Sequence, residues 1–514
     1  MNTQINKWTV ALASAGLINL ASVALADDAA APTNAPNAAA AAPNTNAPPT
    51  TAAGTPIGTK ANEGFWKRLD DALREQLGTP AFTPAPPGSP PPDRRGNLAP
   101  FDSPPYPNGE WQIGGTEIIG DKNLTSDYWL MQALYQGPHG QAWANSGIKL
   151  YGWEDVSANW STSYKSGINP VTAQAANFPA IYDQRPNRVE QNQFVLYAER
   201  TPDENQRDHI DWGFRLSAVY GLDYRYMISR GFFSDQLTKH NNFYGYDSPM
   251  MYGNLYIPWI AQGMNITIGR IISEADIEAQ LAPNNLMSSH SLLYGYDPYC
   301  QWGVFTTTKL NRNWTVQAGI ADGNDVALWE TRDPGYQPTG TVMVQYQTSD
   351  NKFGFYGGAN AFNNAQWGFN NLQQYVGTFT YKFSEKIWTS HETWYMYQKN
   401  AATGPTPSVP YSDGQFPVKP GYAPEWATLN YTMFRLAPST FLTVRNEVFD
   451  DIVGQRTGYA TIYSEHSIGI TYWPSKLITF RPELRFDHAY DHKSYDLGTR
   501  KNQFMAQFDV VFHF

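Results

Sequence analysis

The sequence predicts an all-β protein, a transmembrane antiparallel β-barrel of about sixteen strands behind a disordered N-terminal extension with one short helix. Three observations predict this. From about residue 147 onward, apolar and polar residues alternate in run after run. The connections between the runs alternate as well, short turns with long loops. Aromatic side chains gather beside the turns, in a chain that is 15% aromatic and only 16% charged.

The totals narrow the choice. The net charge of −10 argues against a broad nucleic-acid surface, which needs a basic face. Cys300, the single cysteine, excludes an internal disulfide framework and a paired-cysteine metal or redox site. Lys7 followed by "WTVALASAGLINLASVALA" and the small pair Ala24 and Ala26 reads as a secretory signal over residues 1–26, cut before Asp27. Ser14, Asn19 and Ser22 interrupt the apolar stretch and argue against a retained anchor. No later segment has the roughly 18 consecutive apolar residues of a membrane helix.

Residues 27–62 are mostly Ala, Pro, Thr, Asn and Gly, which bury too little surface to offset the entropy of ordering, so a disordered linker is expected. In residues 63–77 Phe65, Leu69, Ala72, Leu73 and Leu77 keep helical spacing, and Gly78 with Pro80 supplies the stop. This short amphipathic helix is marginal alone and should dock on something. Residues 78–146 read as a Pro-rich periplasmic spacer.

Residues 147–514 carry the barrel. The spans are 147–162, 188–200, 209–224, 251–260, 263–272, 300–309, 313–321, 339–348, 352–360, 372–384, 386–398, 425–437, 439–450, 459–473, 476–488 and 502–514. In "HIDWGFRLSAVYGLDYRYM", Ile210, Trp212, Phe214, Leu216, Ala218 and Tyr220 form one face, and Asp211, Arg215 and Ser217 the other. Trp259, Trp314, Tyr381, Trp388, Phe441 and Trp473 sit beside short turns, where an interfacial girdle belongs. The last span, "QFMAQFDVVFHF", runs to Phe514 inside a strand, as a strand that closes a cylinder would. A soluble sandwich explains the alternation but not the alternating loop lengths.

Several long stretches carry a resemblance: "IKLYGWEDVSANWSTS", "HIDWGFRLSAVYGLDYRYM", "YIPWIAQGMNITIGRIISEADIEAQLAPNN", "DDIVGQRTGYATIYSEHSIGITYWP" and "FRPELRFDHAYDHKSYDLGTRKNQF". Over about residues 147–514 the chain resembles the β-barrel porin family described as OmpL-like, from Gram-negative envelopes. The resemblance implies an outer-membrane porin and supplies no catalytic residues.

Sixteen strands leave an aqueous lumen where eight would be filled. Gln193, Glu199, Asp211, Arg215, Gln317, Arg445, Glu447, Arg481, Glu483 and Arg485 share the lining parity. The expected function is passive diffusion of small hydrophilic solutes or ions. The constriction is expected at Glu274, Asp276 and Glu278 in the loop after the fifth strand, with Arg445, Glu447, Arg481, Glu483 and Arg485 across the barrel. Acidic loop against basic wall would set up a transverse field in a narrow gap. The loop's position resembles that of the inward-folded loop of sixteen-stranded porins. Phe512 and Phe514 are expected to act as an assembly signal read by the barrel-assembly machinery.

No HExxH, GxSxG or Gly-rich phosphate loop is present, so no enzyme, cofactor or metal is expected. His240, His290, His391 and His513 read as lone residues, and Cys300 as packed near the outer rim. The repeated Gly-Tyr-Asp of "GYDSP" and "GYDPY" reads as turn chemistry. Remaining expectations are residence in outer-membrane lipid, an N-terminal extension in the periplasm as tether or partial plug, and, by analogy of strand number, a homotrimer. The alternative function is a structural or surface-binding barrel that tethers the envelope.

Overall fold

The computed structural model describes residues 49–51, 54–80, 127–169, 174–272, 276–330, 338–348, 352–363, 372–384, 386–399 and 421–514. Sixteen strands close into one antiparallel barrel. They are β1 (Lys149–Ser161), β2 (Val189–Arg200), β3 (Asp211–Gly221), β4 (Met251–Ile257), β5 (Met264–Ile272), β6 (Cys300–Lys309), β7 (Trp314–Asn324) and β8 (Thr339–Gln347). The second half comprises β9 (Phe353–Phe362), β10 (Gln373–Ser384), β11 (Ile387–Lys399), β12 (Tyr422–Ala437), β13 (Thr440–Asp451), β14 (Thr461–Ser475), β15 (Ile478–Ala489) and β16 (Asn502–His513). Each span read from the alternation falls on one of these strands. A three-residue strand, Gly245–Asp247, continues the pairing of β3 above β4.

Closure leaves no open edge, which a sheet in lipid cannot afford. β16 pairs with β1 from Trp153 opposite His513 to Ser161 opposite Met505. Gly152 and Phe514 then exchange two backbone hydrogen bonds of 2.8 and 2.9 Å. The short turns all lie on one rim with the start of β1 and the end of β16, and the long loops lie on the other.

Burial follows strand parity. On β3, Trp212, Leu216 and Tyr220 are exposed, while Asp211, Ser217 and Val219 are buried. An exposed apolar face around a buried polar one is the arrangement for lipid outside and a polar interior. The girdle expectation needs a correction. Trp259, Trp314 and Tyr381 are exposed, but Trp388 and Phe441 are buried in the interior cluster, and Trp473 packs on it. Trp388 stands on the same parity as Glu392 and Trp394, so nearness to a turn was a weaker guide than phase.

Below the short-turn rim lies a helical package. Helix α1 (Phe65–Gly78) packs against α2 (Trp129–Tyr135), and α3 (Gly140–Ser146) leads into β1. The buried face of α1 is Arg68, Ala72 and Gln76 rather than the expected Phe65, Leu69 and Leu73, which are half-buried. The reason is polar: Arg68 Nε donates to the Ala133 carbonyl at 2.9 Å and Gln76 Nε2 to that of Asp127 at 2.8 Å. Thr55 Oγ1 donates to Asp127 Oδ2 at 2.9 Å, which fixes part of the predicted linker onto the package. α2 and α3 fall within the predicted spacer; seven residues each is too short for a periodic signal. The expected signal peptide, 1–26, and the bulk of the expected linker and spacer lie outside the described residues.

Candidate functional site

The interior is organised by the loop between β5 and β6. β5 and β6 stand half a turn of the sixteen-strand ring from β13 and β14. Residues 276–299 nevertheless bond to the far wall, so the loop crosses the lumen. Ile277 N donates to Glu392 Oε2 on β11 at 2.7 Å. Arg481 on β15 donates through Nη1 to the carbonyls of Ala282 and Asn285 at 2.5 and 2.7 Å. Thr471 Oγ1 on β14 donates to the Leu286 carbonyl. Ser289 N and Oγ donate to Glu483 at 2.9 and 2.6 Å. Arg485 Nη1 donates to the His290 carbonyl at 2.5 Å. The backbone N–H groups of Leu292 and Leu293 donate to Glu447, which completes the start of a one-turn helix, Leu292–Gly295. A near-side bond comes from β2: Gln193 Nε2 donates to the Gln280 carbonyl at 2.9 Å, and Ala282 N donates back to its Oε1 at 3.1 Å.

Arg445 is the hub. It is fully buried; its Nε donates to Glu465 at 3.0 Å and its Nη1 to the Ser289 carbonyl at 2.8 Å, while Glu278 and Glu483 lie 3.5 and 3.3 Å away. Arg481 pairs with Asp509 through a 2.8 Å bond, and Arg485 with Asp487 at 2.8 Å. The three guanidiniums are therefore neutralised by wall carboxylates while their remaining donors hold loop carbonyls. This differs from the expected basic wall facing an acidic loop across water. The two surfaces touch, because planar forks with several donors can satisfy a carboxylate and a carbonyl together.

The loop carboxylates divide. Glu278 accepts from Tyr431 Oη at 2.7 Å and from Ser291 N, with His290 Nδ1 at 3.0 Å. Burial would raise its pKa, but the His290 hydrogen bond and the Arg445 charge outweigh it and hold the carboxyl at about 2. Burial lowers the pKa of His290, despite its acidic neighbour. Asp276 is pushed up to about 6, chiefly by burial, beside Asp297 and Glu392. Burial and the nearby Asp276 raise Asp297 as well. Glu274 lies outside the described residues.

Two neighbouring loops pack on the crossing loop. Tyr182 from the loop after β1 stacks on His290 with ring centres 4.0 Å apart, and packs on Tyr226 from the loop after β3 at 4.2 Å. Tyr296 Oη donates to the Pro179 carbonyl at 2.9 Å. Phe178, Ile181, Leu286, Leu292 and Leu293 join one interior cluster with Trp388 and Trp394 of the wall. Sequence reasoning did not assign Glu392, Glu465, Asp509, Thr471 or Trp394 to the site. Inward parity was their only signal, and parity cannot name which loop atom each one meets. Cys300 is buried beside Ser229 and Arg270, and Asp247 of the first Gly-Tyr-Asp pairs with Arg270 at 2.8 Å.

No curated protein matches the chain. Among solved structures, the anion-selective porin from Comamonas acidovorans is similar at 11% identity, over 71% of this chain and 99% of that one, with a TM-score of 0.42. The outer membrane channel DcaP of Acinetobacter baumannii is similar at 12% identity, over 71% and 97%, with a TM-score of 0.42. The trimer form of OmpT of Vibrio cholerae is similar at 8% identity, over 71% and 99%, with a TM-score of 0.41. A family profile described as "Putative beta-barrel porin-2, OmpL-like" matches residues 147–514, the whole barrel. The chain belongs to this family of outer-membrane porins.

Proposed function

We propose that this porin is a loop-restricted diffusion channel, in which residues 276–299 set the conductance for small hydrophilic solutes or ions. One observation carries the reading: the loop spans the lumen and bonds to β13, β14 and β15 on the far side. A polypeptide strapped across a lumen divides and narrows it, and solutes must pass beside the strap. Arg445, Arg481, Arg485, Glu447 and Glu483 act here as the anchors of the constriction rather than as its bare lining. Asp276, half-buried among carboxyls, is the loop charge best placed to meet passing ions. Transport is passive, with no bond made or broken.

Residues 1–26 serve as the export signal, and the helical package is a periplasmic extension docked on the short-turn rim. The porin works as a homotrimer, and Phe512 and Phe514 guide assembly by pairing into the β1 seam. Planar-bilayer recording of the full chain tests the reading. Small, steady, ohmic steps are expected. A barrel inserted at normal density with no steps would make it a structural or surface-binding element instead.

A further inference from the structure

The inner wall of the barrel has two halves of different chemistry. Inward positions of β13 to β16 carry Arg445, Glu465, Arg481, Asp487 and Asp509, and the crossing loop takes up that side through its anchors. Across the lumen, β4 to β9 hold three charged residues in all, Arg270, Lys309 and Asp322. Arg270 and Asp322 share the parity of Ile268 and Ile320, which face outward, and Lys309 ends β6 at the short-turn rim. Between the rims, the inward face of these six adjacent strands carries no charged side chain.

The same half is the open one. Every inward position of β11, β13, β15 and β16 is buried. On β4 to β7, by contrast, the inward Tyr252, Thr267, Thr307 and Thr315 are only half-buried, and the inward Gly358 on β9 is exposed. Gly269 and Gly303 stand opposite each other and present bare backbone to the lumen. Gln317 lies opposite Thr307 on the same face. Its Oε1 accepts from Tyr356 Oη, while its Nε2, on a side chain 2% exposed, has no partner among the described residues. A buried amide donor with nothing to bond is costly, and an acceptor on a passing solute relieves that cost.

We infer that solutes pass along the inner face of β4 to β9, and that the class this wall selects is uncharged and hydroxyl-rich, a sugar or polyol. The Thr and Tyr hydroxyls and the Gln amides both donate and accept, so they can replace the hydration of such a solute bond for bond. An ion gains no countercharge from them to offset the water it sheds in a narrowed gap. Asp276 of the strap stands beside Glu392 on β11, off this wall, and sets only which ions leak. The inference rests on the reading of the loop as a strap and deepens it: the strap and its charged anchors fill one side, and the neutral side is left to the solute.

Uptake of labelled glucose, glucuronate and glucosamine, in mildly acidic buffer, into vesicles carrying the full wild-type chain tests the class. Glucose should enter severalfold faster than either charged sugar. Equal rates, or a faster charged sugar, would overturn it. Thr307→Cys and Thr315→Cys test the place. A water-soluble anionic thiosulfonate should modify both in the folded channel and cut glucose uptake severalfold. Thr443→Cys, inward and buried on β13, and the buried Cys300 of wild type should stay unmodified. No modification at Thr307→Cys and Thr315→Cys, modification without loss of uptake, or equal modification of Thr443→Cys would contradict a path along this wall. If a cysteine chain does not fold, the comparison of the three sugars still decides. A folded wild-type barrel that gives neither ion steps nor uptake of any sugar would instead break the diffusion reading beneath the inference.

Discussion

Two segments of this chain dock on the same barrel by opposite means. The loop 276–299 is held inside by fully desolvated charges, with Arg445, Arg481 and Arg485 each bonded to a wall carboxylate and a loop carbonyl together. The N-terminal package is held at the rim by sparser contacts, neutral apart from a 3.4 Å ion pair between Asp127 and Lys149 of β1. Trp129 Nε1 donates to the His513 carbonyl at 3.0 Å, Lys476 N to that of Thr79 at 3.0 Å, and Tyr128 stacks on His513 at 4.9 Å. The difference teaches what each attachment can do. A buried charge network is rigid and costly to break, because each lost partner strands another charge. A handful of neutral bonds is worth little more than about 1 kcal/mol apiece, and can be given up.

The largest effect tests the seam that carries the rim attachment. Deleting Phe512 to Phe514 removes the pairings with Glu154, Trp153 and Gly152 and also the acceptor for Trp129. Outer-membrane insertion, followed by heat-modifiable mobility, should be lost. Normal insertion would mean the seam holds without these rungs.

Next in size is the loop anchor. Arg445→Met leaves Glu465, Glu483 and Glu278 without their shared cation, a loss of about 3–5 kcal/mol for a buried network. The folded barrel should unfold at lower temperature and show noisy, enlarged steps. Quiet wild-type steps would show that the loop stays in place without its hub.

The pH dependence sharpens the comparison within the loop itself, because Glu278 and Asp276 act with opposite sign. Glu278, at about 2, contributes closure that is full above its ordinary value of 4.5 and is lost as pH falls toward 2. His290, lowered by burial, adds to acid loosening below 6.5, since its neutral form is the one that fits. Asp276, at about 6 beside Asp297 and Glu392, works the other way: it takes up a proton between about 6 and 3.8, and closure tightens. Glu278→Gln should remove the acid rise in conductance below pH 4.5, and Asp276→Asn the change near pH 6. Identical pH profiles for both variants and wild type would place neither carboxyl in the constriction.

The smallest effect belongs to the rim. Trp129→Phe deletes one hydrogen bond to the His513 carbonyl, worth about 0.5–1.5 kcal/mol. Protease sensitivity of the extension should rise while single-channel conductance stays the same. A conductance that rises severalfold would make the package a plug instead of a tether.

The strands were legible because a period of two is a local signal repeated sixteen times, and the turn lengths gave their polarity. The crossing of the loop was expected only from the resemblance of its place to the inward-folded loop of sixteen-stranded porins; its apolar Ile277, Leu281 and Leu286 are buried. The anchoring was not legible. Ser289 meets Glu483 across 194 residues, and Ile277 meets Glu392 across 115. Long-range pairings of that kind leave no spacing in the sequence. The short helices α2 and α3 were hidden because seven residues span two turns, and Trp388 was misplaced because a turn nearby suggested a girdle while its phase pointed inward.

The most direct test of the central claim is single-channel conductance of the full chain with Arg445, Arg481 and Arg485 all changed to Met, recorded on barrels whose heat-modifiable mobility is intact. If the loop strapped across the lumen sets the channel, conductance rises severalfold above wild type and loses its dependence on the charge of Asp276. If conductance is unchanged, the path for solutes lies elsewhere and the crossing loop is not the constriction.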